Sequence, residues 1–299
     1  AIERYMRDVA PRTPKSLSAK QSRLKVWTHE FGPLALGLMT PTVISEFRDR
    51  LLRRTTHRKI PMAPTTVNRY MAMFSHVLTV AANEWAWIDT SPMPKVTRLR
   101  EPRGRVRYLS DSDRTRLLLA CRQSSSPHLF AIVVLAMATG MRRSEILTLK
   151  WCDVDLDRDR AILQDTKNGE RRAVHLVGLA KDLVAARLSQ RMASDYVFPG
   201  KTSGRIVDFK RSWKRVLRET QIVDFRFHDL RHCAASYLAM SGATMHDIAE
   251  VLGHKSLAMV KRYTHLSDTH VKGVVAAMNR SIFGDEGSAC SQAWGVLQK

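Results

Sequence analysis

The stretch Phe227-His228-Asp229-Leu230-Arg231-His232 holds two histidines four apart and a histidine and an arginine three apart. On a helix, either pair shares a face. The first spacing suits a metal ion and the second an anion such as a phosphate. A zinc protease of this spacing needs a glutamate after the first histidine as general base, and the shorter Asp229 stands there instead. No distant carboxylate is marked out as a third ligand, and Arg231 would repel a cation. The sequence therefore predicts no metal and no cofactor.

Other chemistries find less support. No Gly-x-Ser-x-Gly turn is present to carry a serine nucleophile, and Cys121 and Cys233 lie in apolar settings that favour inert packing. Gly140 and Gly169 stand alone, so no glycine-rich loop could cradle a nucleoside triphosphate. A phosphodiester held by side chains is the third possibility. It needs cations around the non-bridging oxygens, a nucleophile, and an acid for the leaving oxygen. Arg142 follows Gly140, and Glu145, one turn on, can brace it from behind. His228 and Arg231 share a face. Lys167 is expected at a hairpin tip, His254 follows Leu252-Gly253, and Tyr263 lies in Val260-Lys261-Arg262-Tyr263-Thr264-His265-Leu266. Singly, each has an ordinary reading: a solvated arginine, a turn lysine, a helix-cap histidine, a core tyrosine.

These residues must be positioned by a chain whose pattern is mainly helical. Helices are expected over 16–30, from Thr40-Pro41 through Leu52, and from Thr65 or Thr66 through Ala81, which together make a helical module over 1–95. A basic run, Lys95-Val96-Thr97-Arg98-Leu99-Arg100-Glu101-Pro102-Arg103-Gly104-Arg105-Val106-Arg107, lacks apolar periodicity and predicts a linker over 96–108. Ser110 and Asp113 pair as a cap before a further helix. Helices near 127–138 and 141–150 come next. Ala161-Ile162-Leu163 and Ala173-Val174-His175-Leu176 read as two strands around Asn168-Gly169. Helices near 178–190, 207–219, 228–241, 244–252 and 267–279 complete a second domain over 109–284, with a tail over 285–299. The fold class is mainly α with a small antiparallel β-sheet in a two-domain arrangement. Trp151 is expected in the core.

Composition narrows the partner. Forty-nine Lys and Arg against 28 Asp and Glu give a formal net charge of +21, which a polyanion would relieve. Nucleic acid is the expected partner. The basic residues are spread along the chain and not gathered on one amphipathic segment, so a membrane surface is not expected. The longest apolar run, Leu129 to Ala138, is too short to cross a bilayer, no signal-peptide pattern opens the chain, and the four cysteines form no Cys-x-x-Cys pair. A cytoplasmic location follows as an expectation. The chain starts at Ala1 rather than methionine, so further sequence is expected upstream.

Taken in order, Thr139-Gly140-Met141-Arg142-Arg143-Ser144-Glu145, the lysine of Asp165-Thr166-Lys167-Asn168-Gly169-Glu170-Arg171-Arg172, His228-Asp229-Leu230-Arg231-His232, Leu252-Gly253-His254-Lys255-Ser256 and Arg262-Tyr263-Thr264-His265-Leu266 resemble the motif series of the tyrosine recombinases, the phage integrase family. The resemblance spans about residues 108–266, and its specificity comes from five motifs in one order. It implies a helical core-binding domain and a catalytic domain that together clamp DNA. It implies that Arg142 and Arg231 hold the scissile phosphate, that His228 assists proton transfer from the nucleophile, and that Lys167 protonates the leaving 5′ oxygen. His254 would hydrogen-bond a phosphate oxygen, Glu145 would brace the site, and Tyr263 would attack to form a 3′-phosphotyrosyl link without metal or nucleotide.

The same resemblance implies double-stranded DNA with specific core sites as substrate, a tetramer on two DNA partners, integration or excision of phage or mobile-element DNA, and possible accessory DNA-bending proteins. His232, His265 and Arg143 adjoin the motifs and are expected to pack, cap or touch the DNA backbone. The amphipathic segment 268–279 is expected either to dock on a neighbouring protomer or to pack on its own domain. A type IB topoisomerase and a non-catalytic DNA-binding regulator are the rival readings.

Overall fold

The computed structural model describes residues 1–56, 59–102, 105–164, 171–189, 194–200 and 206–283. The chain divides into two compact units, Ala1–Arg103 and Gly104–Lys299.

The first unit is helical: α1 (Ile2–Asp8), α2 (Leu17–Phe31), α3 (Pro41–Arg53) and α4 (Pro64–Asn83). The sequence reading anticipates the last three and misses α1. Thr40 opens α3 by accepting the Val43 amide on its side chain, with Pro41 at the first helical position where its missing N–H costs nothing. Apolar residues at helical spacing meet around Trp27. Its ring stacks on Phe74 with centroids 3.9 Å apart and meets Phe47 edge-on at 4.6 Å. The indole N–H donates to the Tyr70 carbonyl at 3.2 Å, so this fully buried ring leaves no polar atom unpaired.

Residues 96–101, expected in a linker, are instead fastened to this unit. Val96 is buried in its core and Leu99 packs against it. The buried Asn68 accepts the Leu99 amide at 3.1 Å and donates to the Leu99 carbonyl and to Glu101 Oε1, both at 2.8 Å. One amide side chain thus substitutes for a strand partner, which a reading by apolar periodicity has no means to detect.

The second unit contains α5 (Asp111–Gln123), α6 (Leu129–Thr139), α7 (Arg143–Leu147), β1 (Val154–Asp155), β2 (Arg160–Leu163), β3 (Arg172–His175), α8 (Leu179–Ser189), α9 (Lys210–Glu219), α10 (Asp229–Met240), α11 (Met245–Leu252) and α12 (Asp268–Phe283). Ser110 caps α5 as expected, accepting the Asp113 amide at 3.1 Å. Helix α6 is apolar on every side, so it lies in the interior, wrapped by α5, α8 and α10. The strands form one antiparallel sheet in the order β1-β2-β3, with Leu163 opposite Arg172. The turn between β2 and β3, and Lys167 with it, lies outside the described residues. Trp151 is half-buried against the core of this unit.

The helix expected over 141–150 is shorter. Arg142 is extended, with φ −70° and ψ 151°, and α7 lasts only five residues. The chain beyond it pairs laterally: Val197 donates to the Leu149 carbonyl and Trp151 to the Asp195 carbonyl, each at 2.9 Å. Long-range backbone pairing overrides the local helical pattern there.

Asn68→Leu is expected to orphan both polar groups of Leu99 and to lower the stability of the first unit by about 1–3 kcal/mol. Urea unfolding measures the loss, and faster amide hydrogen exchange at Leu99 locates it.

Candidate functional site: an arginine cluster beside a buried tyrosine

Three guanidiniums converge in the second unit on one carboxylate and one helix end. Glu145, buried in the first turn of α7, accepts the Arg142 amide at 2.8 Å and the Arg142 Nη1 at 2.6 Å. Its Oε2 also accepts Arg172 Nη2 at 2.9 Å. Burial alone would raise the Glu145 pKa, but the hydrogen bonds from Arg142 and the charge of Arg172 hold it below its ordinary value.

The other acceptors are consecutive carbonyls at the C-terminal end of α11. Val251 accepts Arg172 Nη1 at 2.6 Å, Leu252 accepts Arg231 Nη2 at 2.5 Å, and Gly253 receives the longer Arg142 Nη2 contact at 3.5 Å. These are carbonyls that a helix end leaves without partners, at the negative pole of its dipole. Arg231 also donates to the Gly140 carbonyl at 2.6 Å. Burial, then the neighbouring Arg142 and Arg172 charges, depress Arg231. Two glycines permit the crowding. Gly140 ends α6 at φ +63°, where a Cβ would clash with the Leu252 side chain. Gly253 ends α11 at φ +62°, where a Cβ would come within 2.7 Å of Arg172 Cδ.

His254 follows at once. Its Nδ1 is buried and has no hydrogen-bond partner among the described residues, and its pKa is pushed down to about 4 by burial first and then by Arg231, Arg142, Arg262 and Arg172. Tyr263 sits on a 3-10 turn, Lys261–Ser267, and is only 2% exposed. Burial raises its pKa against the lowering effect of Arg262 and Arg231. The phenol oxygen lies 2.5 Å from Nδ1 of His232. His228 is exposed at the residue preceding α10, its ring edge-on to that of His232 with centroids 5.5 Å apart.

The structure thus brings Arg142, Glu145, Arg231, His254 and Tyr263 into one region, with His228 beside His232. Lys167 lies outside the described residues. Two residues stand in the cluster that the motif series does not mark. His232, expected only to pack, cap or contact backbone phosphates, is the partner of the tyrosine. Arg172 was unassigned, although strand alternation places it on the same face of β3 as the buried Val174. Arg143 is exposed. The buried Cys121 and Cys233 thiols are pushed up to about 12 and about 11 by burial, which removes them as nucleophiles.

Among the described residues, no group of three His, Cys, Asp or Glu could hold a metal ion, and no helix is long and apolar enough to cross a membrane. Among the described residues, three guanidiniums against one carboxylate leave an excess of two positive charges, near an imidazole whose Nδ1 has no partner. Such an arrangement recognises an anion.

Comparison with known proteins agrees with that geometry. The phage integrase family matches residues 107–270. The chain belongs to this family. It is a tyrosine recombinase, an enzyme class that cleaves and rejoins DNA strands at specific sites. The integrase of Salmonella phage P22 is 28% identical over 90% of this chain and 76% of its own length. The shufflon-specific DNA recombinase of Escherichia coli is 34% identical over 78% of this chain and 60% of its own length. In fold, the recombinase resembles a lambda integrase(75-356) dimer bound to a COC′ core site, with a TM-score of 0.69, 19% identity, and coverage of 88% of this chain and 93% of that one.

Two outcomes are expected of the recombinase without substrate. Glu145→Gln removes the carboxylate that Arg142 and Arg172 share, and should lower stability in urea by about 3–5 kcal/mol. Stability should also depend on pH through His232 and His254, both held near 4 in the folded chain against an ordinary 6.5. Between those values the unfolded chain binds protons that the folded chain does not. The contribution is therefore complete above pH about 6.5 and lost as pH falls toward 4. Urea midpoints measured from pH 7 down to 5 should fall, and less steeply in a His232→Gln, His254→Gln double variant.

Proposed function

We propose that this recombinase cuts and reseals double-stranded DNA at specific core sites through a 3′-phosphotyrosyl intermediate, with the second unit as its catalytic domain and the first as its core-binding domain. The observation that carries the proposal is the cluster of Arg142, Arg172 and Arg231 held open by one carboxylate and one helix end, with His254 and Tyr263 at its border. Arg142 and Arg231 take the non-bridging oxygens of the scissile phosphate. Two planar, permanently charged donors there stabilise the charge that builds as the phosphorus gains a fifth ligand.

His254 offers its half-buried ring to a phosphate oxygen, and the absence of a partner for its Nδ1 among the described residues supports this role. Glu145 keeps Arg142 in place. His228 assists proton transfer from the nucleophile, and Lys167 protonates the leaving 5′ oxygen, as the family resemblance implies. Tyr263 attacks. Holding the reacting groups in register removes much of the entropic barrier, and the phosphotyrosyl link preserves the phosphodiester energy for rejoining.

The working assembly in this proposal is a tetramer on two DNA partners in the cytoplasm, with accessory DNA-bending proteins where the target requires them. The substrates are core sites at which phage or mobile-element DNA is integrated or excised. The many exposed Lys and Arg make binding strongly salt-dependent, because phosphate contacts displace counterions.

A pool of nicked duplex oligonucleotides with a randomised core tests the chemistry whatever the sequence of the core site. The unaltered protein should form a DNA adduct stable to denaturing electrophoresis, and Tyr263→Phe should form none. An adduct that survives the substitution removes Tyr263 as nucleophile. Loss of adduct on adding a chelator would return a metal to the mechanism, and plasmid relaxation without recombinant junctions would favour a topoisomerase.

A further inference from the structure

Tyr263 needs to lose a proton to become a nucleophile, because a phenol of ordinary pKa near 10 is almost wholly protonated at neutral pH. Here the requirement is more severe, since burial raises the phenol further. A group that takes this proton must lie within hydrogen-bond reach of the phenol oxygen. His232 Nδ1 does so at 2.5 Å, and the histidine assigned to proton transfer by family resemblance, His228, has its ring edge-on to that of His232 at a centroid distance of 5.5 Å.

From this contact we infer that His232 is a catalytic residue of the strand-cleavage step, accepting the phenolic proton of Tyr263 at Nδ1 as the tyrosine attacks. The inference rests on Tyr263 being the nucleophile. With the ring neutral and its own proton on Nε2, Nδ1 is the acceptor and the phenol the donor.

The surroundings keep the ring in that state. Burial first, and then the charges of His228, Arg262 and Arg231, disfavour the imidazolium, while Asp229 opposes them. These groups face His232 from α10 and from the 3-10 turn that carries Tyr263. His232 sits one residue after Arg231, so a single turn of α10 presents both the phosphate clamp and the proton acceptor. The chain needs no further element to bring the two together.

The step balances without an oxidant or a cofactor. The bond from Tyr263 Oη to phosphorus forms and the bond from phosphorus to O5′ breaks. The phenolic proton passes to His232 Nδ1, and O5′ takes a proton from the general acid, Lys167 in the mechanism above. On rejoining, the 5′ hydroxyl returns its proton to Lys167 as O5′ attacks the phosphotyrosine, the bond from phosphorus to Tyr263 Oη breaks, and the departing phenolate recovers its proton from His232.

The rival role for the contact is a latch that only holds Tyr263 buried until DNA binds. The two roles oppose each other in rate, because loss of a latch speeds cleavage and loss of an acceptor slows it. The test uses the duplex selected from the randomised pool by adduct formation with the unaltered protein. His232→Gln keeps a polar partner for the phenol but cannot accept a proton, and should form adduct about 10²–10⁴-fold more slowly. Thermal unfolding and binding of the same duplex check that the variant is folded.

Three further measurements separate acceptance of the proton from support of the fold. Fluorotyrosine at position 263, whose phenol is more acidic, should recover a large part of the loss in His232→Gln and little in the unaltered background. The rate of the unaltered protein should fall toward acid pH, and that fall should be absent in the variant. A duplex whose scissile O5′ is replaced by sulfur should restore Lys167→Ala but not His232→Gln, since sulfur leaves without an acid. Faster or unchanged adduct formation in a folded His232→Gln overturns the inference, as does its rescue by the sulfur substrate. If Tyr263→Phe still forms adduct, the underlying nucleophile assignment fails instead.

Discussion

Like charges brought close together repel, and the second unit is built around a solution to that repulsion. Two unit charges about 4 Å apart interact by roughly 4 kcal/mol at an effective dielectric of about 20. Arg142, Arg172 and Arg231 are held close without a substrate because each donates to a different carbonyl among Val251, Leu252 and Gly253, and two of them share Glu145. The helix end supplies about half a negative charge, and Glu145 a whole one. The neutralisation is partial. A cluster fully neutralised by carboxylates would have no affinity left for phosphate, and one without Glu145 would drive its own arginines apart.

Other features of the unit follow from this arrangement. Gly140 and Gly253 are glycines because the chain must turn at positive φ with side chains pressed against it. Helix α7 begins at Arg143 because the Arg142 amide is taken by Glu145. The same carboxylate therefore fixes the start of the helix and the direction of the arginine. Arg172 joins β3 to α7 and to the end of α11, so the sheet is tied to the anion site by a side chain and not by a continuous backbone element.

Much of this was legible in the sequence where the determinants are local. Arg142 with Glu145, and His228 with Arg231, declare themselves by helical spacing, and Gly253 marks the end of α11 and the position of His254. Helical periodicity gave α2, α3 and α4 their places, and Asn168-Gly169 separated β2 from β3. The failures share a cause. The fastening of residues 96–101 depends on Asn68, about 30 residues earlier in the chain. The shortening of the 141–150 helix depends on pairing with 195–197. The contact of His232 with Tyr263 spans 31 residues, and that of Arg172 with Val251 spans 79. Each is decided by a partner that no window of sequence contains.

In the mechanism proposed above, burial acts on His232 and Tyr263 in a direction that opposes their reaction. It lowers the basicity of His232 and the acidity of Tyr263 together, and so disfavours proton transfer from one to the other. On this proposal a phosphodiester brings a negative charge to Arg142 and Arg231, and so offsets the positive charges that add to burial in holding His232 neutral. Its effect on the imidazole is to favour the protonated form. As the bond from Tyr263 to phosphorus forms, the phenol becomes a far stronger acid than it was in the free chain. Both changes require the phosphate in place, so the substrate itself supplies the electrostatic condition under which the tyrosine can react. An acceptor already ionised in the free protein would lack this dependence, and a tyrosine already ionised would be open to other electrophiles. In the proposed mechanism, neutral groups in contact beside the guanidiniums would restrict the chemistry to the complex with DNA.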